Sequence, residues 1–231
     1  PAGVVEICLI VNGPGAGDDG IFGSVSLREL PGNHAYQPTS GSRAVLQLVD
    51  GKRCLEFDGV DDHYIASLPH STRNIKYLTA IALEKLSTDA SQSLTSIQAE
   101  DYVYPDGYVS NLFYSGATTV GNYVDWTAGS GFLGISVETT GPAVDVPFVL
   151  SSLANGATAT ANSGVSENSE AIGDEVGYDD LDTLYLGATQ ATPAVYGFAE
   201  FNFFGFIHAY GDRTASDEAL IRSFLESKIP G

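Results

Sequence analysis

Cysteine and basic residues are scarce in this chain. Its 231 residues include two cysteines, Cys8 and Cys54, and only 10 Lys or Arg against 29 Asp or Glu, which gives a formal net charge of −19. Two cysteines are too few for a disulfide framework, so we expect both to be buried free thiols, with a disulfide between them as the alternative. So acidic a surface repels phosphate groups and anionic lipid, which argues against nucleic acid as a partner.

Long apolar runs and methionine are missing altogether. No stretch approaches the roughly 18 apolar residues of a bilayer-spanning helix, so we expect no membrane insertion. We find no basic segment followed by an apolar run, which is the pattern typical of a signal peptide. The absence of methionine fits either removal of an initiator residue before Pro1 or excision from a longer protein.

Glycine, in contrast, is abundant, with 26 residues spread between many short apolar runs. This spacing is typical of short strands joined by tight turns, and therefore of an all-β fold. Asp50-Gly51 and Asn155-Gly156 each separate two apolar runs and predict β-hairpins. The polar residues 162–178 predict a loop. Because all-β sandwiches of this length commonly form one unit, we expect residues 1–231 to be a single domain.

Only the C-terminal segment has helical periodicity. Ser216 is the expected N-cap, and Asp217 and Glu218 would lie in the first turn. Lys228 would lie in the last turn, before Pro230. Apolar residues recur between them at helical spacing: Leu220, Ile221, Phe224 and Leu225.

Three segments, in this order along the chain, resemble laminin G-like, concanavalin A-type jelly-roll domains. Residues 32–43 (GNHAYQPTSGSR) are similar to the loop that precedes the first core strands in these domains. Residues 54–66 (CLEFDGVDDHYIA) resemble the phenylalanine–DG–x–DD signature, and residues 201–231 resemble the closing strand, turn and helix. The resemblance implies a two-sheet antiparallel jelly-roll sandwich with one short C-terminal helix.

The DGVDD segment has two interpretations. Asp58-Gly59 can turn the chain while Asp61 and Asp62 accept backbone N–H groups, which is a purely structural role. Alternatively, Asp58, Asp61 and Asp62 bind calcium, as some laminin G-like domains do, although calcium usually takes six or more oxygen ligands. We expect no cofactor, with calcium as the alternative.

Catalysis is not expected. Residues 56–61 nearly match the Glu-x-Asp-x-x-Glu strand by which jelly-roll glucanases resemble one another, but the last residue is Asp61 and Gly59 interrupts the strand, which would break the row of carboxylates. The four histidines lack metal-ligand spacing, and His208, in an apolar run, is expected to be a satisfied core or interface residue. A glycoside hydrolase of the concanavalin A-like class, acting through Glu56, is the alternative.

Aromatic residues crowd one part of the chain, with acidic residues among them. Rings stack on the C–H faces of sugars and carboxylates bind their hydroxyls, although strand aromatics also form cores. The candidate glycan contacts are Tyr102, Tyr104, Asp106, Tyr108, Tyr114, Asp125 and Trp126.

These features favour a non-catalytic module for recognition or assembly. Its partners would be a glycan or another surface ligand, or neighbouring subunits of a virion, as in a tail fibre, spike or capsid decoration, or of an extracellular surface. A homo-oligomer fits the assembly role. The expected location is a virion or the extracellular space, and this rests on analogy between folds.

Overall fold

The structure, a computed structural model, describes most of the chain after residue 34. The described ranges are residues 35–37, 39–71, 76–88, 92–98, 108–116, 118–125, 134–155, 158–171, 181–191 and 194–231. They belong to one compact unit, Asn33–Gly231. The single-domain expectation for residues 1–231 includes residues outside these ranges and stays a prediction, as does the state of Cys8. Cys54 is a buried free thiol, as expected.

The described residues form fifteen strands and one α-helix. The strands are β1 (Val45–Val49), β2 (Lys52–Asp58), β3 (Tyr64–Ser71), β4 (Lys76–Lys85), β5 (Gln92–Gln98), β6 (Tyr108–Tyr114), β7 (Thr119–Asp125), β8 (Gly134–Thr140), β9 (Pro147–Asn155), β10 (Thr158–Asn162), β11 (Glu167–Ala171), β12 (Leu181–Leu186), β13 (Thr189–Ala191), β14 (Ala194–Tyr196) and β15 (Glu200–Tyr210). The helix, α1 (Ala215–Glu226), follows β15.

Two antiparallel sheets account for most of these strands. One has seven strands in the order β1-β2-β15-β4-β9-β10-β11, and the other has six in the order β3-β12-β5-β6-β7-β8. Strands β13 and β14 form a separate hairpin. The predicted fold class, an all-β two-sheet antiparallel sandwich with one short C-terminal helix, is confirmed.

Two segments that are distant in the sequence meet in the core. Phe57 and Phe201 are an in-register pair on β2 and β15, fully buried, with their rings stacked at a centroid distance of 4.7 Å. Leu55 opposes Phe203 two residues along, because alternate strand residues share a face. Gly187 has φ +84, and a Cβ there would lie 2.5 Å from the Phe57 ring, so this position requires glycine.

Helix α1 covers the outer face of the seven-stranded sheet. Leu225 is buried against Ala80 and Ala82 of β4 and Val149 of β9. Strand β4 is therefore buried on both faces, which explains why residues 77–83 are apolar except for Thr79 and lack the alternation of a half-exposed strand. In the described ranges, no helix has the length and apolar character needed to cross a bilayer.

One charged group lies within the core. Lys85, the last residue of β4, is fully buried, and its Nζ atom lies over the ring of Tyr114 from the facing sheet, 5.6 Å from the centroid. Burial lowers the pKa of the Lys85 ammonium from its usual value. The ring supports a positive charge there, but the low-polarity surroundings oppose it.

The hairpin predictions hold, whereas the loop prediction for residues 162–178 is wrong in part. Asp50 and Gly51 have φ values of +46 and +80 between paired strands β1 and β2. Strands β9 and β10 pair around the second turn. Residues 167–171 form β11, whose residues are all exposed and which is held by its pairing with β10. Without a buried face it has no apolar pattern that reveals a strand.

The helix begins earlier than its sequence indicated. Thr214 is the N-cap: its Oγ1 accepts the Asp217 N–H at 3.2 Å, and the Asp217 carboxylate accepts the Thr214 N–H at 2.8 Å. This reciprocal pair is a capping box, and it moves the cap two residues before Ser216. The helix ends at Glu226, so Lys228 lies beyond its last turn.

Candidate functional site

The DGVDD segment and the start of β6 lie at opposite ends of the sandwich. Asp58 ends β2 and pairs with Glu200, which begins β15. The Tyr114 hydroxyl, at the end of β6, hydrogen-bonds to the Glu200 carbonyl at 2.9 Å, so the end of β6 lies at the Asp58 end. Tyr108 begins β6, about 20 Å away along the strand.

Tyr114 is a core residue, which corrects its assignment as a glycan contact. It is fully buried, and besides Glu200 its hydroxyl also hydrogen-bonds to the Gln92 side chain. The alternation of β6 turns Leu112 and Tyr114 inward, so the Tyr114 ring has no face open to a sugar.

The other predicted glycan contacts belong to connections at one end of the six-stranded sheet. Gln98 pairs with Tyr108, and Asp125 pairs with Gly134, so the connections 99–107 and 126–133 attach at the same end. For Tyr108 and Asp125, the structure describes the backbone but not the side chain. The remaining candidates lie outside the described residues and stay predictions: Tyr102, Tyr104, Asp106 and Trp126.

Among the described residues, the hydrogen bonds expected of the DGVDD segment are present at Asp62 but not at Asp61, which accepts a side-chain hydroxyl in place of a backbone N–H. The Asp58 carboxylate accepts the Val60 N–H at 2.8 Å, and the Asp62 carboxylate accepts the Asp58 N–H at 3.0 Å. The Asp61 carboxylate accepts the Ser42 hydroxyl at 2.8 Å. Burial raises the pKa of Asp62, although the hydrogen bond from the Asp58 N–H opposes this shift.

The same three carboxylates are close enough to share a cation. Each of Asp58, Asp61 and Asp62 offers one oxygen, and these oxygens lie within 4.8 Å of one another. Three oxygens are about half of the six to eight that calcium takes. Calcium binding at this cluster therefore stays a prediction.

Gly59 interrupts the row of carboxylates that a glucanase strand would need. Its φ of +72 ends β2 directly after Asp58. Glu56 and Asp58 share a strand face, but Asp61 leaves the strand, as the sequence indicated.

A polar cleft, which the sequence did not reveal, lies where the edges of the two sheets meet at β8 and β11. Its volume is about 340 Å³. Its lining residues are Thr119, Glu138, Thr139, Thr140, Ser166, Glu167 and Asn168. We call it the β8–β11 cleft.

Hydrogen bonds between the two edges fix the wall of this cleft. The Ser166 hydroxyl lies 2.6 Å from the Thr139 hydroxyl and accepts the Thr140 N–H at 2.9 Å. The Asn168 side chain donates to the Glu138 carbonyl at 3.0 Å. Partners of these bonds lie 26 to 30 residues apart in sequence, so no local motif could have indicated the site.

Two exposed carboxylates stand on the cleft, each supported by a neighbour. Glu138 accepts the Ser115 hydroxyl at 3.4 Å, and Glu167 accepts the Asn162 side-chain amide at 2.8 Å. With hydroxyl and amide groups beside them, these carboxylates can bind the hydroxyls of a polar ligand.

Comparisons with known proteins identify the fold. No protein-family model and no curated protein sequence matches the chain. A carbohydrate-binding module of a Ruminococcus gnavus sialidase bound to sialyllactose is similar at a TM-score of 0.52 and 14% identity, over 65% of this chain and 83% of that one. Tailspike protein 2 of an Escherichia coli O157:H7 bacteriophage has a TM-score of 0.55 and 11% identity, over 90% of this chain and 29% of that one.

An arabinofuranosidase complexed with arabinofuranosyl-xylobiose is similar at a TM-score of 0.52 and 13% identity, over 80% of this chain and 42% of that one. The chain thus spans less than a third of the tailspike and less than half of the arabinofuranosidase. At these identities the likeness shows the fold alone: a jelly-roll β-sandwich of the kind found in carbohydrate-binding domains. The narrower resemblance to laminin G-like domains stays a prediction.

Proposed function

We propose that this chain is a non-catalytic glycan-binding module and that the β8–β11 cleft is a binding site. The composition of the cleft wall carries the proposal: all seven lining residues are polar, and hydrogen bonds between the sheet edges hold them in place. A fixed polar surface binds a hydroxyl-rich ligand with little further loss of conformational freedom. The similarity of the fold to a carbohydrate-binding module supports a carbohydrate as the ligand class, whereas the acidic sugar bound by that module is not carried over to this chain.

A glycan array followed by calorimetry on its strongest ligands tests this function. We expect Glu167→Ala to weaken binding about tenfold or more, because a hydrogen bond to a charged group contributes about 1.5–3 kcal/mol. Glu170→Ala is the matched control, since Glu170 is exposed on the same strand but does not line the cleft. An array without ligands would refute the glycan function.

The aromatic contacts predicted at the opposite end form a second proposed site. Stacking on a tryptophan or tyrosine ring would place a sugar at the connections that attach to β6 and β7. Binding that is lost in Trp126→Ala and Tyr108→Ala, but kept in Glu167→Ala, would assign recognition to that end and contradict the cleft as a binding site.

The absence of catalysis is part of the same proposal. The break at Gly59 supports it, because Glu56 and Asp58 have no third carboxylate in their row. We expect no sugar release from arabinan, xylan or sialyllactose. Release that disappears in Glu56→Gln would instead establish a glycoside hydrolase.

Assembly into a larger particle is a second candidate function, favoured by the edge strand β1. Strand β1 ends the seven-stranded sheet and has no charged residue, and Val45, Leu46 and Leu48 are exposed by 56%, 67% and 68%. Natural sheet edges are usually protected by charges, so this edge fits pairing with β1 of a second copy of the chain. The tailspike similarity over 90% of the chain supports a virion or extracellular location.

Light scattering tests the assembly role. We expect a dimer for the unaltered protein and a monomer for the Leu46→Lys, Leu48→Lys double variant. Val165→Lys, at a residue that is 62% exposed and lies between β10 and β11 at the opposite edge of the sheet, is the control that should remain dimeric. A monomer in every case would contradict self-association through β1.

A further inference from the structure

We propose that the β8–β11 cleft selects uncharged, hydroxyl-rich glycans and rejects sugars that carry carboxylate or sulfate groups. This inference rests on the proposed glycan-binding function and specifies the chemical class of the ligand. It follows from the charges on the cleft, from the neighbouring cation and from the hydrogen-bonding groups of the wall.

The charges on the cleft are all of one sign. Among its lining residues, Glu138 and Glu167 carry the only ionisable side chains, and both are exposed. An anionic sugar entering the cleft would approach two carboxylates without a lining lysine, arginine or histidine to compensate. Like charges brought together in a binding site oppose association strongly, and the net charge of −19 adds to the repulsion.

The arginine beside the cleft already hydrogen-bonds to other groups of the protein. Arg222 lies in an adjacent cleft that shares Glu167 with the β8–β11 cleft. Its Nη1 donates to the carbonyls of Asn162 at 2.7 Å and Val149 at 3.0 Å, and to the Ser151 hydroxyl at 2.9 Å.

Carboxylates also balance the charge of this arginine. The Arg222 Nη2 lies 3.8 Å from Glu226, and Glu218 and Glu167 act on it electrostatically. Arg222 therefore anchors the helix to the sheet, and its guanidinium is not directed to an anionic ligand.

The wall of the cleft suits sugar hydroxyls instead. The hydroxyls of Thr119 and Thr140 can donate and accept hydrogen bonds, and the Glu138 and Glu167 carboxylates accept them. The Ser166 hydroxyl and the Asn168 amide bond mainly within the wall and shape it. A sugar hydroxyl also donates and accepts, so it can hydrogen-bond to a donor or to an acceptor of the cleft wall. An uncharged glycan can hydrogen-bond to these groups without bringing a negative charge close to the two carboxylates.

Paired ligands test the selection. Lactose and 3′-sialyllactose differ by one sialic acid, and arabinotriose and trigalacturonic acid extend the comparison to other neutral and acidic sugars. In calorimetry at low salt we expect the neutral glycans that bind to do so at least about tenfold more tightly than acidic ones. Added salt should narrow that ratio by screening the repulsion.

A charge-neutral variant shows whether the cleft causes the selection. Glu138→Gln with Glu167→Gln keeps hydrogen-bonding groups but removes both charges. We expect neutral glycans to bind more weakly, because their hydrogen bonds to the carboxylates are lost, while acidic glycans lose less affinity or gain some, so that the ratio of neutral to acidic affinity falls at least about fivefold. Glu170→Gln is the control for the loss of one charge outside the cleft and should leave the ratio unchanged.

The outcomes separate this inference from the function on which it rests. Acidic glycans that bind as tightly as neutral ones, or a ratio that the double variant leaves unchanged, would overturn the inference and leave glycan binding standing. A broad array with neither neutral nor acidic ligands would overturn the glycan function itself.

Discussion

His208 lies in β15 among aromatic rings, with its centroid 5.9 Å from that of Tyr77 and 4.3 Å from that of Tyr210. Its Nδ1 hydrogen-bonds to the Thr79 hydroxyl at 2.6 Å, whereas its Nε2 is buried without a hydrogen-bond partner among the described residues. We expected a core or interface histidine whose ring nitrogens are hydrogen-bonded, and this holds for Nδ1 only. Burial lowers the pKa of His208 from 6.5 to about 3.

The lowered pKa of His208 makes the fold sensitive to acid. Below pH 6.5 the unfolded chain takes up this proton while the folded chain does not, so stability falls from pH 6.5 toward pH 3 by about 1.4 kcal/mol per pH unit. Between pH 7 and pH 5, we expect the free energy of unfolding, measured with urea, to fall by about 2 kcal/mol less in His208→Phe than in the unaltered protein. Parallel pH profiles for the two proteins would contradict this.

The calcium prediction at Asp62 can be separated from its structural role. Asp62→Ala removes the acceptor for the Asp58 N–H and should lower the free energy of unfolding by about 1–3 kcal/mol, whereas Asp62→Asn keeps an oxygen there and should cost less. A rise in Tm with calcium that Asp62→Asn and Asp61→Asn abolish would establish the site. Equal Tm values with and without calcium would leave these aspartates a structural role only.

At the scale of single elements, local signals succeeded where one turn or one buried face determines the structure. Asp50-Gly51 predicted its hairpin because few residues tolerate two successive positive φ angles. The start of α1 was predicted two residues late because Thr214 and Ser216 are both good caps, and the reciprocal bond with Asp217 decides between them. Strand β11 was missed because all its residues are exposed.

The two candidate caps of α1 give a direct comparison. Thr214→Ala should destabilise the protein by about 1 kcal/mol, because the Asp217 N–H loses its acceptor. Ser216→Ala lies inside the helix and should change stability by less than about 0.5 kcal/mol. Urea denaturation of both variants measures the difference, and equal losses would show that Thr214 does not act as the cap.

At the scale of the whole molecule, the sequence predicted the sandwich but not its cleft. The two segments that resemble jelly-roll domains, residues 54–66 and 201–231, contain β2 and β15, and these strands pair in the core. The cleft depends instead on Ser166 meeting Thr139, which only the pairing of distant strands determines. Tyr114 was assigned to a ligand because an aromatic strand residue looks the same in sequence whether it faces the core or solvent.

The contact that joins the two ends of the chain can be measured by a double-mutant cycle. We expect Phe57→Leu and Phe201→Leu to couple by about 0.5–1.5 kcal/mol, since the stacked rings contribute beyond their buried area. Phe57→Leu with Val137→Ala is the control, because Val137 belongs to the other core cluster and should act independently. Additive losses for the phenylalanine pair would indicate that the two strands do not share a core.

The buried Lys85 ammonium gives the molecule a built-in reporter of transient opening. Lys228 is exposed and would be acylated quickly by an amine-selective reagent. Lys85 would react only while β4 and the facing sheet are separated, and then as the minority neutral amine. In a timed acylation series, peptide mass spectrometry would measure how fast Lys85 is modified. That rate gives the frequency of the separation under native conditions, without denaturant.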